Sequence, residues 1–173
     1  KEWESKMLSN ADRYLESGLM GDLTIGCGDW TDHYENDINL NNWLGFITKI
    51  IEKYGAHLAS LQITNEPNLS FMEGSKPYIM EALVKGVAAA KKETQERGLP
   101  IKIGFGSVPE SPAAVPDFWE KLAKAGGKTF IDSVDFVGHN FYVYVFDEQP
   151  LDLEEIPTSV EQTLRNLREK NLF

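Results

Sequence analysis

Asn65-Glu66-Pro67 closes an apolar run, residues 58–64, that has the length and composition of a buried strand. A carboxyl placed there is held stiffly, because the residue before a proline is confined near extended geometry. Walled by apolar and aromatic groups, a carboxyl has its charged form disfavoured, the condition a general acid needs to protonate a leaving oxygen. The neighbouring Asn65 amide suits a substrate hydroxyl, and Trp or Tyr rings offer flat faces to a sugar. The same three residues also suit an ordinary polar turn with Glu66 in solvent.

A second group tips the reading toward a site. In "VDFVGHNFYVYVF", residues 134–146, the polar members His139, Asn140 and Tyr142 interrupt an apolar strand. Buried polar groups are costly unless they have partners. Trp30, in the loop after an earlier strand, is a candidate sugar platform, with packing beneath that loop as the alternative. Glu110, one strand from Glu66, is the one further carboxylate with a position that would let it face the same cleft, but "SVPESP" reads as a surface loop. The acids between Asp147 and Glu155 read as solvated charges. The acidic stretch from Asp29 to Asp37 lacks the regular oxygen spacing of a calcium loop. No metal site is expected.

These residues need a scaffold. Trp3, Met7, Leu8, Ala11, Tyr14 and Leu15 recur at helical spacing, and a strand is expected over residues 23–27. Trp43, Phe46, Ile47, Ile50, Ile51 and Tyr54 mark one face of a second helix. A strand over 58–64 follows, then a helix through Ile79, Ala82, Leu83, Val87 and Ala90, closed by Gly98 and Pro100. Residues 101–105 read as a strand. Phe118, Trp119, Leu122 and Ala123 lie on a helix ending near Gly126-Gly127. After the strand over 134–146, a last helix is expected from the capping box Thr158–Glu161, burying Val160, Leu164 and Leu167.

Strict alternation of helices with short apolar strands predicts a parallel sheet covered by helices, either open and doubly wound or closed as a barrel. The polar and aromatic residues gather after each strand, where both architectures do their chemistry. Gly26-Cys27-Gly28 and Gly104-Phe105-Gly106 lack the third glycine of a dinucleotide loop. With 173 residues and a formal charge of −10, the chain has material for a real core and no basic stripe for nucleic acid. No apolar run approaches the roughly 20 residues of a membrane span, and the single Cys27 excludes an internal disulfide framework.

The combination resembles the large clan of retaining glycoside hydrolases built on a (β/α)8 barrel, which includes cellulases, mannanases, β-glucosidases and β-galactosidases. In that clan Asn-Glu, often followed by Pro, ends the fourth strand, and the Glu is the general acid/base; Asn65-Glu66-Pro67 matches. The sixth strand carries a His or Asn two positions ahead of a Tyr that hydrogen-bonds the nucleophile. Asn140-Phe141-Tyr142 is similar, with His139 adjacent.

The resemblance implies that residues 1–173 are part of a catalytic TIM barrel carrying about strands three to six with flanking helices. It further implies a carbohydrate substrate, no cofactor, Glu66 as acid/base, and Asn65, Trp30, His139, Asn140 and Tyr142 as sugar-binding residues. The clan's nucleophile, a Glu ending the seventh strand, is expected beyond Phe173, and a barrel of this kind takes about 250 residues. Two alternatives stand beside this: a non-catalytic carbohydrate-binding barrel or pseudoenzyme, and a half-barrel completed by self-association.

Overall fold

The computed structural model describes residues 10, 12–14, 16–27, 37–142 and 152–171. It is an α/β structure. Strands β1 (Gly21–Ile25), β2 (Leu58–Ile63), β3 (Lys102–Ser107) and β4 (Phe136–His139) alternate with helices α1 (Asp37–Tyr54), α2 (Ile79–Glu96) and α3 (Phe118–Ser133), and α4 (Ile156–Asn166) follows β4. The strands form one four-stranded sheet in the order β1-β2-β3-β4. Every neighbouring pair is parallel. The order therefore follows the chain without the reversal that marks the switch point of a doubly wound sheet.

Right-handed crossovers in a sheet of this order carry successive helices to the same face, and α1 packs on α2 and α2 on α3. Strand alternation then gives each face its own chemistry. Ile25, Leu61, Ile63, Ile103 and Phe105 join the helix residues Trp43, Ile47, Ile51, Leu83, Val87, Leu122 and Phe130 in one buried apolar core. Each such aliphatic or aromatic side chain contributes about 1.5–3 kcal/mol by leaving water. Phe105 meets the rings of Trp119 and Phe130 at 6.1 and 5.8 Å. The Trp43 indole donates to the Ala82 carbonyl at 3.1 Å, tying α1 to α2. Gly86 lets α2 approach the sheet, since a Cβ there would lie 2.9 Å from Ile63 Cγ2.

The opposite face carries polar and small side chains together with the Phe136 ring. Asp22, Thr24, Ser60, Gln62, Lys102 and Phe136 line a hollow of about 500 Å³ over it. No described helix is long and apolar enough to cross a membrane.

The elements expected from sequence are present with shifted edges. The first strand begins at Gly21 and ends at Ile25, two residues earlier than its apolar run. The fourth strand spans only Phe136–His139, shorter than its aromatic run, and Asn140–Tyr142 continue without strand pairing. The helix expected to stop at Gly126-Gly127 does leave helical geometry at Gly127 (φ 55°, ψ −161°), and a second helical segment, not expected, runs on to Ser133. The last helix starts at Ile156, with Pro157 in its first turn in place of the expected capping box. Of its expected core residues only Leu167 is buried, while Leu164 is 38% exposed. Trp43 and Trp119 lie in the core as their helix faces require. Trp3, Met7, Leu8, Ala11 and Leu15 fall outside the described residues.

Candidate active site

The chain leaves β2 through a forced turn. Thr64 has φ 66°, a left-handed conformation that for a β-branched residue costs on the order of 1–3 kcal/mol and needs support from its surroundings. That support comes from both neighbours in the sheet. Thr64 N–H donates to the Ile25 carbonyl at 2.8 Å, and its own carbonyl accepts from Gly106 N–H at 3.4 Å. Beyond it, the Asn65 carbonyl fills the space above Gly106, where any Cβ would overlap it.

The turn delivers Glu66 into a nearly closed position, 5% exposed. Asn140 Nδ2 donates to Glu66 Oε1 at 2.7 Å, and the Tyr142 hydroxyl donates to the same oxygen at 3.2 Å. Both donors come from just past β4, two strands away. Asn140 is set there by its own N–H, which donates to the Ser107 carbonyl at 2.8 Å. Two donors on Oε1 stabilise negative charge on that oxygen. The Glu66 carboxylate, chiefly by its charge, holds the Tyr142 phenol above its ordinary value of 10.0, so it remains a donor at neutral pH. Tyr142 itself is exposed, so it sits at the rim.

Glu73 completes the arrangement. Its Oε1 accepts Cys27 N–H at 2.8 Å and its Oε2 accepts Asn65 N–H at 2.9 Å. Asn68, buried behind Pro67, pairs both its amide atoms with Val108, donating at 2.8 Å and accepting at 2.9 Å. This fastens the loop after β2 to the loop after β3. Gln62, on the open face below, points its amide toward the Thr64 carbonyl at 3.3 Å and Asn65 Oδ1 at 3.5 Å.

The sequence-derived candidates therefore divide. Glu66, Asn140 and Tyr142 are brought into direct contact, and half-buried Asn65 adjoins them. Tyr142, which the resemblance aims at a nucleophile, bonds Glu66 here. His139 turns to Ser107, Nδ1 to Oγ at 2.8 Å, while that hydroxyl donates to the Gly138 carbonyl at 3.0 Å. With its single proton so used, Ser107 accepts from Nδ1–H, which leaves the lone pair on Nε2. Burial lowers the His139 pKa, so the ring is neutral at pH 7. Glu110 is exposed, on a separate cleft with Asp117 and Trp119. Trp30 lies outside the described residues.

Glu73, Gly106 and Ser107 were not among the candidates. The glycines of "IGFGS" carried a usable signal, since a strand glycine often marks a close backbone approach. Glu73, in "SFMEGSK", carried none. Among the described residues no group of His, Cys, Asp and Glu is placed to hold a metal ion. Comparison of the sequence with protein-family models and with curated proteins gives no match.

Proposed function

We propose that this chain contributes four consecutive strands of a (β/α)8 barrel, and that Glu66 is the general acid/base of a hydrolase that cleaves β-linked glycosides with retention. The barrel reading is supported by the unreversed parallel order β1-β2-β3-β4. The catalytic reading rests on one observation: Glu66 is buried at a strand's C-terminal end with one carboxyl oxygen held by Asn140 and Tyr142.

In the first step the proton on Oε2 passes to the glycosidic oxygen while the bond from the anomeric carbon breaks and its electron pair goes to that oxygen. A second carboxylate, from the strands that close the barrel, bonds the anomeric carbon. It must stand about 5–5.5 Å from Glu66. In the second step Glu66 takes a proton from water, whose oxygen displaces that carboxylate. In this reading Asn65 holds a sugar hydroxyl and Tyr142 forms the rim. No cofactor takes part.

The test is chemical rescue in the full-length protein. On 2,4-dinitrophenyl β-glycosides, whose leaving group needs no proton, Glu66→Ala should form the glycosyl-enzyme but release it slowly. Azide should restore turnover and yield a β-glycosyl azide. A Glu66→Ala protein that turns over like wild type removes Glu66 from the mechanism. A wild-type protein that binds sugars but cleaves none of a broad panel makes Glu66 a ligand in a carbohydrate-binding barrel.

A further inference from the structure

We propose that Glu73 is a positioning residue that sets the acid/base by clamping the backbone of the turn that carries it. The inference rests on the reading of Glu66 as acid/base. At the ends of two parallel strands, backbone N–H groups run out of ladder partners and need others. After β1 that group is Cys27 N–H, and after β2 it is Asn65 N–H. The two oxygens of the Glu73 carboxylate take one each, at 2.8 and 2.9 Å.

Asn65 is thereby gripped on both sides. Its N–H is held by Glu73 and its carbonyl is seated over Gly106. The preceding Thr64 stands at φ 66°, a conformation that persists only where the surroundings dictate it. With both peptides fixed, the directions of the Asn65 and Glu66 side chains are fixed too.

The loop is wound to bring Glu73 back to this point. Leu69 N–H donates to the Glu66 carbonyl at 3.0 Å and Met72 N–H to the Leu69 carbonyl at 3.1 Å. At Gly74 a Cβ would lie 2.6 Å from the Leu69 carbonyl oxygen and 2.8 Å from that of Pro67. The acid/base and its clamp thus belong to one compact loop. Only a carboxylate fits the clamp. Glutamine would accept one N–H and turn its own NH2 against the other.

Glu73→Gln in the full-length protein tests this, with rates expressed per active site titrated by a 2-deoxy-2-fluoro-β-glycoside inactivator. A displaced acid loses the ability to protonate, so kcat/KM should fall on the order of 100-fold further for unactivated glycosides than for 2,4-dinitrophenyl glycosides. Loss of folded protein alone would lower both equally and vanish after titration of sites. The Tyr142 phenol supplies a readout that needs no substrate. Its ¹³Cζ titration, assigned with Tyr142→Phe, should fall toward 10.0 as Glu66 moves away.

A wild-type leaving-group dependence in folded Glu73→Gln overturns the proposal. Glu66→Gln is run beside it. If that variant also keeps the wild-type dependence, the acid/base reading fails, and the Tyr142 midpoint alone decides whether Glu73 places Glu66. Should Glu73→Gln not fold, Thr64→Gly/Glu73→Gln, which removes the left-handed penalty, is judged by the same two readouts.

Discussion

Asn140 and Glu66 stand 74 positions apart in the chain and 2.7 Å apart at Nδ2 and Oε1. The bond spans β3 and joins the ends of β2 and β4, so the sheet order is a precondition of the site. Hydrogen bonds to charged groups contribute about 1.5–3 kcal/mol. If that energy orients the acid in the transition state, Asn140→Ala lowers kcat/KM on unactivated glycosides roughly 10- to 100-fold. Tyr142→Phe, which removes a longer bond at an exposed rim, lowers it less. Steady-state kinetics on one substrate ranks the two, and a larger loss from Tyr142→Phe contradicts the geometry.

Gly106→Ala places a methyl group where the Asn65 carbonyl sits. The obstacle is backbone, so the turn must move. Overpacking of this kind costs about 1–3 kcal/mol, and in a domain of this size each kcal/mol lowers Tm by about 2–4 °C. If the turn holds sugar as proposed, that binding should weaken with it. Gly45→Ala in α1 is the control, because a Cβ there meets nothing within 4 Å. Replacing a helical glycine should raise stability by about 0.5–1 kcal/mol. Thermal melts of both variants should move in opposite directions.

What the sequence revealed depended on the range over which each residue acts. Trp43, Ile47, Leu83 and Val87 repeat at 3.6-residue spacing, so the helices and their core faces were visible before any fold was known. Glu66 was visible because its strand and its proline are adjacent to it. Asn140 and Tyr142 stood out as polar groups in an apolar strand, though their bond to Glu66 was not legible. Their partner is chosen by sheet order, which no local pattern states. Glu73 went unnoticed for the same reason, since both N–H groups it accepts are assembled by the fold. The helix end at Gly127 was legible from its glycine pair, but the helical segment that follows to Ser133 was not, because a glycine pair can end a helix or only interrupt it.

Asp135 supplies a pH test of stability. Burial alone would raise its pKa, but the Ile103 N–H and the Lys91 ammonium, donating at 2.8 and 2.7 Å, hold it below the ordinary 3.8. A native value below the unfolded one means the unfolded chain binds the proton more readily. The contribution is therefore complete above the unfolded value and is lost as pH falls through the lower native one. Asp135→Asn should cost about 1–3 kcal/mol at pH 7. The gap between wild type and variant should close in acid. Urea denaturation at pH 7, 4 and 3 measures it, and a constant gap would assign the cost to packing.

Cys27 tests the closure of the same strand ends by a different chemistry. Its side chain is fully buried. Burial, followed by the adjacent Glu73 carboxylate, pushes its thiol up to about 12. At pH 8 the thiolate fraction is then on the order of 1 in 10⁴, and only the thiolate attacks a disulfide reagent. Native protein should react with an aromatic disulfide at the rate at which Cys27 is exposed by opening, and unfolding in guanidinium should release the thiol at once. Glu73→Gln removes one charge that disfavours the thiolate and one clamp that holds Cys27 N–H. Reaction of that variant should be faster under native conditions while its global unfolding midpoint, once matched by denaturant, predicts no difference. Equal rates at matched stability would mean that the β1 and β2 ends stay closed without the Glu73 bridge.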